Sequence, residues 1–221
     1  MIPGILLAAG LSSRFGSQKL LSVLADDTTL FDHSLRLHLN ASIDPLVIVV
    51  SREIFSALQE KKNGALKYVM RRDNGFDWYH LRTPWGTARL IVNETPETGM
   101  ADSLKQGLSV LSEIERRDGV LISLADMPRI TPGIIERLLA EYQQGEKRAV
   151  VPMFEGRIGH PVIFDEPFFR EEIQGIKGDE GLRSILKRHW RDVTVISWED
   201  ASVVMDVDTP ADMEKILRDG A

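Results

Sequence analysis

Short apolar runs alternate with segments of helical periodicity along most of the chain, and this alternation is the strongest constraint on its fold. Strand–helix–strand units pair their strands in parallel and connect them through right-handed crossovers. The pattern therefore predicts an α/β protein with three layers, α/β/α, around a mostly parallel, Rossmann-like central sheet. The predicted strands are 4–8, 46–51, 67–70, 88–93, 119–124, 149–153, 161–164 and 193–197, and the predicted helices are 29–39, 52–61, 101–116, 132–143, 180–190 and 210–218.

Residues 71–87 do not follow this alternation. Trp78, Tyr79, His80 and Trp85 lie there among Gly, Pro, Asp and Arg residues, with little periodicity. A loop of this length inside a compact domain is either functional or irregular. We expect an irregular aromatic insertion within a single domain of residues 1–221, and a ligand lid and a packed flap are equally consistent with it.

The composition is that of an ordinary globular protein. Of the 221 residues, 43% are hydrophobic and 27% are charged, which suits one large domain with a sizeable core. The net charge of −6 argues against nucleic acid as the main partner, because phosphate binding favours a basic face. The chain has no cysteine, no visible secretory signal and no apolar run near the ~20 residues that cross a membrane. We therefore expect a cytoplasmic protein that binds neither membranes nor nucleic acid.

The first predicted strand leads directly into a loop, residues 7–19, with the sequence Leu-Ala-Ala-Gly-x-Ser-x-Arg-x-Gly-x-x-Lys. Small residues and Gly10 let the backbone approach a ligand closely, and exposed amide groups together with Arg14 and Lys19 form a cradle for anions. The spacing excludes a P-loop, in which Lys follows the second Gly directly, and the dinucleotide fingerprint GxGxxG is absent. The loop therefore predicts a site for the triphosphate of a nucleotide. The alternative is an ordinary strand-to-helix connection with surface charges.

Acidic residues stand at two further informative positions. Asp126 follows the apolar strand 119–124, at the carboxyl end where parallel α/β sheets bind their ligands. A carboxylate there needs a cation or several donors, and Mg²⁺ bridging nucleotide phosphates satisfies that need. Asp206 and Asp208 are two residues apart, so their side chains share one face of an extended segment. The alternatives are a capping or turn role for Asp126 and a favourable contact of Asp206 and Asp208 with a helix dipole.

The segments 7–19, 124–128 and 206–210 resemble, in this order, the motifs of the MobA-like NTP transferase family, which shares its fold with sugar-nucleotide pyrophosphorylases. The chain is most similar to the molybdopterin cytidylyltransferase branch, with Ala125 where Gly is usual. The resemblance implies a nucleotide-diphospho-sugar transferase fold, catalytic roles for Arg14, Lys19 and Asp126, and Mg²⁺ on Asp126 and Asp208, the latter with more weight than Asp206. In the first loop it assigns to nucleotide binding Leu7, Ala8, Ala9, Gly10, Ser12 and Ser13.

Two other regions are similar to recognition segments of the same family. Residues 98–105 resemble a segment that lies against the base and ribose, which assigns Gly99 and Ser103 to nucleotide binding. Asp102 departs from the Ser that is usual there. The alternative is that Asp102 or Ser103 only caps a helix. Residues 156–161 and 177–183 resemble the acceptor side of the molybdopterin-transferring branch. There His160 would contact the acceptor, and with Arg157 and Arg183 it would suit a phosphate. A structural role for His160 is the alternative.

The resemblance implies transfer of CMP from CTP to the phosphate of molybdopterin, with release of pyrophosphate. The acceptor phosphate is already an anionic nucleophile, so positioning and charge stabilisation would carry the reaction. Lys19 would offset charge at the α-phosphate, and Arg14 would hold the β- and γ-phosphates. Ala9 stands where guanylyl-transferring relatives have Gly, which favours the cytidylyl branch.

Two other functions stay open at this point. One is a guanylyltransferase or sugar-phosphate nucleotidyltransferase of the same fold, and the other is a non-catalytic nucleotide-binding protein for cofactor insertion. The expected partners are a nucleoside triphosphate, with CTP favoured, and a phosphorylated acceptor such as molybdopterin. The resemblance also leaves open a transient molybdoenzyme or chaperone partner.

Overall fold

The computed structural model describes residues 1–60, 70–73, 76–112 and 119–219. Its strands are β1 (Ile2–Ala8), β2 (Ile43–Ser51), β3 (Met70–Asp73), β4 (Phe76–Thr83), β5 (Gly86–Asn93), β6 (Gly119–Leu124), β7 (Ala149–Phe154), β8 (Arg157–Ile158), β9 (Val162–Asp165) and β10 (Val193–Ser197). Its α-helices are α1 (Leu30–Leu39), α2 (Arg52–Glu60), α3 (Met100–Ser112), α4 (Pro132–Gln144), α5 (Glu166–Gly175), α6 (Leu182–Arg188) and α7 (Pro210–Asp219).

The described strands form one mixed sheet in the order β10-β7-β9-β6-β1-β2-β5-β4-β3, with β8 paired to β7. β6, β1, β2 and β5 pair in parallel, as do β10 and β7. β9 is antiparallel to β6 and β7, and β4 is antiparallel to β5 and β3. The predicted α/β fold is confirmed, but antiparallel pairs flank the parallel centre of the sheet on both sides. Short connections such as that between β4 and β5 cannot join parallel strands, which need a crossover of about a dozen residues or more.

Helices cover both faces of the sheet, which gives the predicted three layers. On one face the buried side chains of α1, α2, α4 and α7 pack together with Leu6 and Ala8 of β1. On the other face, α3, α5 and α6 pack with Ile5 and Leu7. The alternation along β1 follows from the period of two in a strand, so each central strand contributes to both cores. None of the described helices has the length and apolar character needed to cross a membrane.

The prediction of an irregular insertion at residues 71–87 is wrong for the described part of that stretch. β4 pairs with β5 in an antiparallel register that places Trp78 opposite Ile91 and Tyr79 opposite Leu90. Trp78 is buried, and the Tyr79 ring lies 4.6 Å from that of Phe55 on α2. The aromatic residues therefore extend the sheet and its core. The sequence of β4 mixes aromatic residues with Asp, His and Arg and contains no continuous apolar run, which is why the sequence pattern did not reveal it.

Other differences concern the ends of elements and one missed helix. The predicted residues 61, 67–69 and 113–116 lie outside the described residues. Helix α5 was not predicted, although Asp165 caps it through a hydrogen bond from the backbone N–H of Phe168 and Pro167 stands in its first turn. These are ordinary signals of a helix start. The predicted helix 180–190 is confirmed as α6, which is followed by a short 3₁₀ turn at Trp190–Asp192.

Candidate active site

The three motif segments meet at the carboxyl ends of β1 and β6, which are neighbours in the sheet. The backbone N–H of Ala125 donates to the carbonyl of Leu7 over 3.0 Å, which joins the two strand ends. The N–H of Val207 donates to the carbonyl of Asp126 over 2.9 Å, which brings the C-terminal acidic segment to the same place. This edge of a parallel sheet is where α/β proteins bind ligands.

The loop after β1 is held by its own side chains. Gln18 is buried; its amide nitrogen donates to the Gly10 carbonyl over 3.4 Å, and its oxygen accepts from the Ser12 hydroxyl over 2.9 Å. The Ser12 oxygen in turn accepts from the backbone N–H of Lys19 over 3.2 Å. Ser12 was predicted to bind nucleotide, but its hydroxyl is already used inside the loop. Gln18 was missed, because nothing in the sequence distinguishes it from an ordinary surface Gln.

Lys19 lies between two of the predicted acidic residues. Its Nζ is 2.7 Å from Oδ2 of Asp126 and 3.0 Å from Oδ1 of Asp208, and only 9% of the Lys19 side chain is exposed. Burial alone would lower the pKa of Lys19, but the charges and hydrogen bonds of the two carboxylates raise it above its ordinary value. Lys19 is therefore a fixed cation. Arg14 reaches Asp208 from the solvent side, with 3.0 Å between Nη1 and Oδ2 and 77% of its side chain exposed, so it has freedom to move.

The two carboxylates form a donor set suited to a hard divalent cation. Oδ1 of Asp126 is buried and has no hydrogen-bond partner among the described residues, which leaves a strong acceptor for a metal. Within the described ranges no group of three or more His, Asp or Glu side chains is arranged to hold a metal. Mg²⁺ commonly uses one or two carboxylates and completes its shell with water and substrate phosphates, so this small set fits such an ion.

Asp206 lies close enough to these groups to interact with their charges, but the described ion pairs of Lys19 are with Asp126 and Asp208. Partial burial, followed by the negative charges of Asp126 and Asp208, raises the pKa of Asp206 above its ordinary value. The raised pKa means that the Asp206 carboxyl takes up a proton more readily than an isolated aspartate does. Its side chain faces the second of the cavities described below.

Asp212 fixes Asp208 and was not predicted. It forms a capping box at the start of α7: its Oδ2 accepts from the backbone N–H groups of Asp208 and Thr209 over 3.1 and 2.8 Å, and from the Thr209 hydroxyl over 2.7 Å. The hydrogen bond from the Thr209 hydroxyl, together with those from the two backbone N–H groups, holds the pKa of Asp212 below its ordinary value. The spacing Thr-x-x-Asp could have revealed this role, because it is the spacing of a capping box.

Two cavities open beside this cluster. The first, which we call the loop cavity, has a volume of about 300 Å³ and is lined by Asp126 and by residues of the loop after β1. It also takes in the predicted nucleotide-binding residues Leu7, Ala9, Gly10, Ser12, Ser13, Gly99 and Ser103. Ala8 is the exception among the predicted residues: its side chain packs into the core beneath α1, because neighbouring strand residues face opposite sides.

The two glycines of the loop cavity have different reasons to be glycine. A Cβ on Gly10 would meet no atom within 4 Å, so it would project into free space where a ligand can lie. Gly99 has φ +96°, and a Cβ there would lie 2.2 Å from the carbonyl carbon of Gly178. Gly99 thus packs two loops together. Ser103 is buried and its hydroxyl accepts from the Asn93 side chain over 2.9 Å.

Asp102 does not line either cavity. It accepts hydrogen bonds from the Thr98 hydroxyl over 3.2 Å and from the Gln106 amide over 2.9 Å, at the start of α3. These bonds agree with the alternative of a local role at the helix terminus.

The second cavity, which we call the apolar cavity, has a volume of about 320 Å³. Its walls come mainly from apolar side chains, among them Leu104, Ile122, Leu182 and Val203, and its polar lining residues include Asp206, His160, Arg157 and Arg183. The two cavities share the lining residues Leu7, Met100, Leu124 and Asp179, so they are neighbours.

His160 differs from its predicted role as a basic group. Burial lowers its pKa to about 4, and the positive charge of Arg183 acts in the same direction. The ring is therefore neutral at physiological pH and cannot supply positive charge to a phosphate. Its backbone N–H donates to the Val203 carbonyl over 2.8 Å, and a Cβ on the preceding Gly159 would lie 2.1 Å from that oxygen. Close backbone packing thus fixes this part of the cavity.

This fold, with a cation-lined loop and paired carboxylates at the ends of β1 and β6, defines a nucleotidyltransferase. Residues 4–193 match the MobA-like NTP transferase domain, and the chain belongs to this family.

The relatives agree with this membership. The chain is 26% identical to the purine catabolism protein PucB of Bacillus subtilis strain 168. The alignment spans 216 residues, which cover 97% of this chain and 95% of PucB. It is 23% identical over 208 residues to the molybdenum cofactor cytidylyltransferase of Escherichia coli K12, or 94% of this chain and 91% of that protein. Rv0371c of Mycobacterium tuberculosis H37Rv has the same fold, with a TM-score of 0.72 at 22% identity over 98% of this chain and 97% of that one. A structure of Rv0371c in complex with manganese aligns with a TM-score of 0.70 at 21% identity, over 99% of each chain.

Proposed function

We propose that this protein transfers the cytidylyl group of CTP to the phosphate of molybdopterin. The observation that carries the proposal is the position of Lys19 between Asp126 and Asp208, beside two neighbouring cavities of about 300 and 320 Å³. A transferase that joins two substrates needs such a pair of sites. The similarity to the E. coli molybdenum cofactor cytidylyltransferase over 94% of this chain supports this choice of donor and acceptor.

In this proposal the loop cavity holds CTP. Backbone amides around Gly10 and Ser13 approach the triphosphate, since a Cβ is absent at Gly10 and nothing else fills that space. Lys19 offsets charge at the α-phosphate, and the exposed Arg14 moves from Asp208 to the β- and γ-phosphates. Gly99 and Ser103 border the nucleoside. These roles are those expected for preorganised cations in phosphoryl and nucleotidyl transfer.

Asp126 and Asp208 would hold a divalent cation, with Mg²⁺ as the proposed ion. When bound, the cation would neutralise part of the charge on the phosphates. The complex of Rv0371c with manganese supports a divalent metal in this fold. Asp212 keeps the Asp208 backbone in place, because its Oδ2 accepts hydrogen bonds from the backbone N–H groups of Asp208 and Thr209.

The apolar cavity would hold the acceptor. An oxygen of the acceptor phosphate attacks the α-phosphorus of CTP, the bond from that phosphorus to the β-phosphate oxygen breaks, and pyrophosphate leaves. The apolar wall residues suit the faces of a flat heterocycle, and the polar lining residues, among them Asp206, Arg157 and Arg183, can pair with its polar edge. A pterin has both such faces and such an edge.

The test is release of pyrophosphate by the purified protein with Mg²⁺, each of CTP, GTP, ATP and UTP, and either molybdopterin or a panel of sugar phosphates. We expect release only with CTP and molybdopterin together. Asp126→Asn should abolish it, whereas Asp102→Asn, at an acidic residue outside both cavities, should retain it. Turnover with GTP would replace the proposed donor, and turnover with a sugar phosphate but not molybdopterin would replace the proposed acceptor.

A further inference from the structure

A third cavity lies next to the apolar cavity, and two of its lining residues, Lys187 and Trp190, have no part in the roles described above. We call it the Trp190 groove; it has a volume of about 390 Å³ and is lined by Met153, Arg157, Ile158, Arg183, Lys187 and Trp190. Arg157, Ile158 and Arg183 line the apolar cavity as well, so the two spaces adjoin along these residues. This volume lies within the range of small-molecule sites.

The groove is positively charged in a protein with a net charge of −6. Its charged lining residues, as far as the structure describes them, are Arg157, Arg183 and Lys187, all cations. Arg183 and Lys187 are four residues apart on α6, where like charges repel each other. No described carboxylate forms an ion pair with either of them, so an anion in the groove would relieve this repulsion.

Two details suit the groove to a ligand with both an anionic and a planar part. The Arg183 guanidinium is held by a hydrogen bond from Nη2 to the Ile158 carbonyl over 3.0 Å, which leaves its other N–H groups available at the boundary between the two cavities. Trp190 is 41% exposed and is one of the exposed large apolar residues of the described chain. An exposed Trp beside cations is a suitable surface for stacking a conjugated group.

We propose that the Trp190 groove is a second acceptor subsite, which binds an anionic group of the acceptor far from the phosphate that is transferred. This inference rests on the proposed function, and it narrows the acceptor to a phosphorylated compound with a second anionic or strongly electron-rich end. The acceptor then spans from the apolar cavity, which Asp206 lines, to Lys187 and Trp190 in the groove.

The test compares Lys187→Glu with Lys215→Glu, which makes the same change of charge at an exposed position of α7 on the opposite face of the sheet. In Lys187→Glu we expect the KM for molybdopterin to rise about tenfold, as for the loss of one charge-assisted contact, with kcat and the KM for CTP unchanged. Higher salt should raise the KM for molybdopterin in the wild type and have less effect in the variant. Equal KM values in the two variants would overturn the inference.

Trp190→Ala is the second variant, and thermal unfolding of both variants checks that the fold is intact. It should also raise the KM for molybdopterin, and an unchanged KM would count against the subsite. If the wild type turns over no acceptor, the proposed function fails by itself. The groove is then judged by calorimetric binding of molybdopterin alone: weaker binding to Lys187→Glu than to Lys215→Glu supports it, and equal binding overturns it.

Discussion

Replacing Lys19 by Met should change metal affinity and activity in opposite directions. The Lys19 ammonium contacts the same carboxylate pair that we assign to a divalent cation, so lysine and metal compete for Asp126 and Asp208. Met fills a similar volume without the charge. The variant should therefore bind Mn²⁺ more tightly, although it lacks the cation that would stabilise the α-phosphate during transfer.

The size of the gain follows from the two contacts. They measure 2.7 Å to Asp126, which is 21% exposed, and 3.0 Å to Asp208, which is 39% exposed. A buried charge-assisted hydrogen bond contributes about 1.5–3 kcal/mol, and a solvent-exposed ion pair about 0–1 kcal/mol. This partly exposed pair lies between those limits, at about 1–2 kcal/mol, which corresponds to about 5- to 30-fold tighter Mn²⁺ binding. Loss of one preorganised cation should reduce turnover by about 10²- to 10³-fold.

Titration of Mn²⁺ by calorimetry and pyrophosphate release measure the two effects on the same preparations. Lys105→Met is the matched control, because Lys105 is a part-buried lysine whose Nζ donates to the Ile176 carbonyl and forms no ion pair with a carboxylate in the described part of the chain. It should leave Mn²⁺ affinity unchanged. Weaker or unchanged Mn²⁺ binding in Lys19→Met, with the fold intact by thermal unfolding, would refute the assignment of Asp126 and Asp208 as the metal ligands.

Three further substitutions test how the site is built. Asp212→Asn should lower kcat, because Asp208 would be held less firmly. The pKa of Asp212 is held below its ordinary value of 3.8, so the stability that its carboxylate contributes is present above that pH and is lost as the pH falls further. The Tm difference between variant and wild type should therefore shrink in acid, and a difference that grows there would contradict this reasoning. Gly10→Ala should keep the wild-type Tm and raise the KM for CTP, because its Cβ meets only the space proposed for the nucleotide. Gly99→Ala should lower Tm, because its Cβ would lie 2.2 Å from Gly178 at a φ of +96°, with a cost of about 1–3 kcal/mol or more. Equal Tm values for the two glycine variants would show that the packing of Gly99 against Gly178 does not matter.

Local patterns were enough for most of the elements and for the place of the candidate site. The apolar runs at β1 and β6 were identified correctly because strands buried on both faces are continuously apolar. The same patterns located Asp126 and the loop with Arg14 and Lys19 at the strand ends. They failed for β4, whose sequence mixes aromatic and charged residues although its partner β5 is predicted at 88–93, and for α5, although its capping signals are present in the sequence.

The sequence by itself determined which chemical groups are available: a glycine-containing loop with two cations, three acidic residues in two segments, and no cysteine. Only the tertiary structure decided what each group does with its neighbours. In the folded protein the Ser12 hydroxyl bonds inside its own loop, Ala8 packs into the core, His160 is neutral, and Arg157 lies with Arg183 and Lys187 around one groove. The physical reason is that residue type and spacing act along the chain, whereas burial, charge and hydrogen bonding depend on segments that are distant in sequence. Lys19 and Asp208 are 189 residues apart, and their 3.0 Å contact exists only because the sheet brings those segments together.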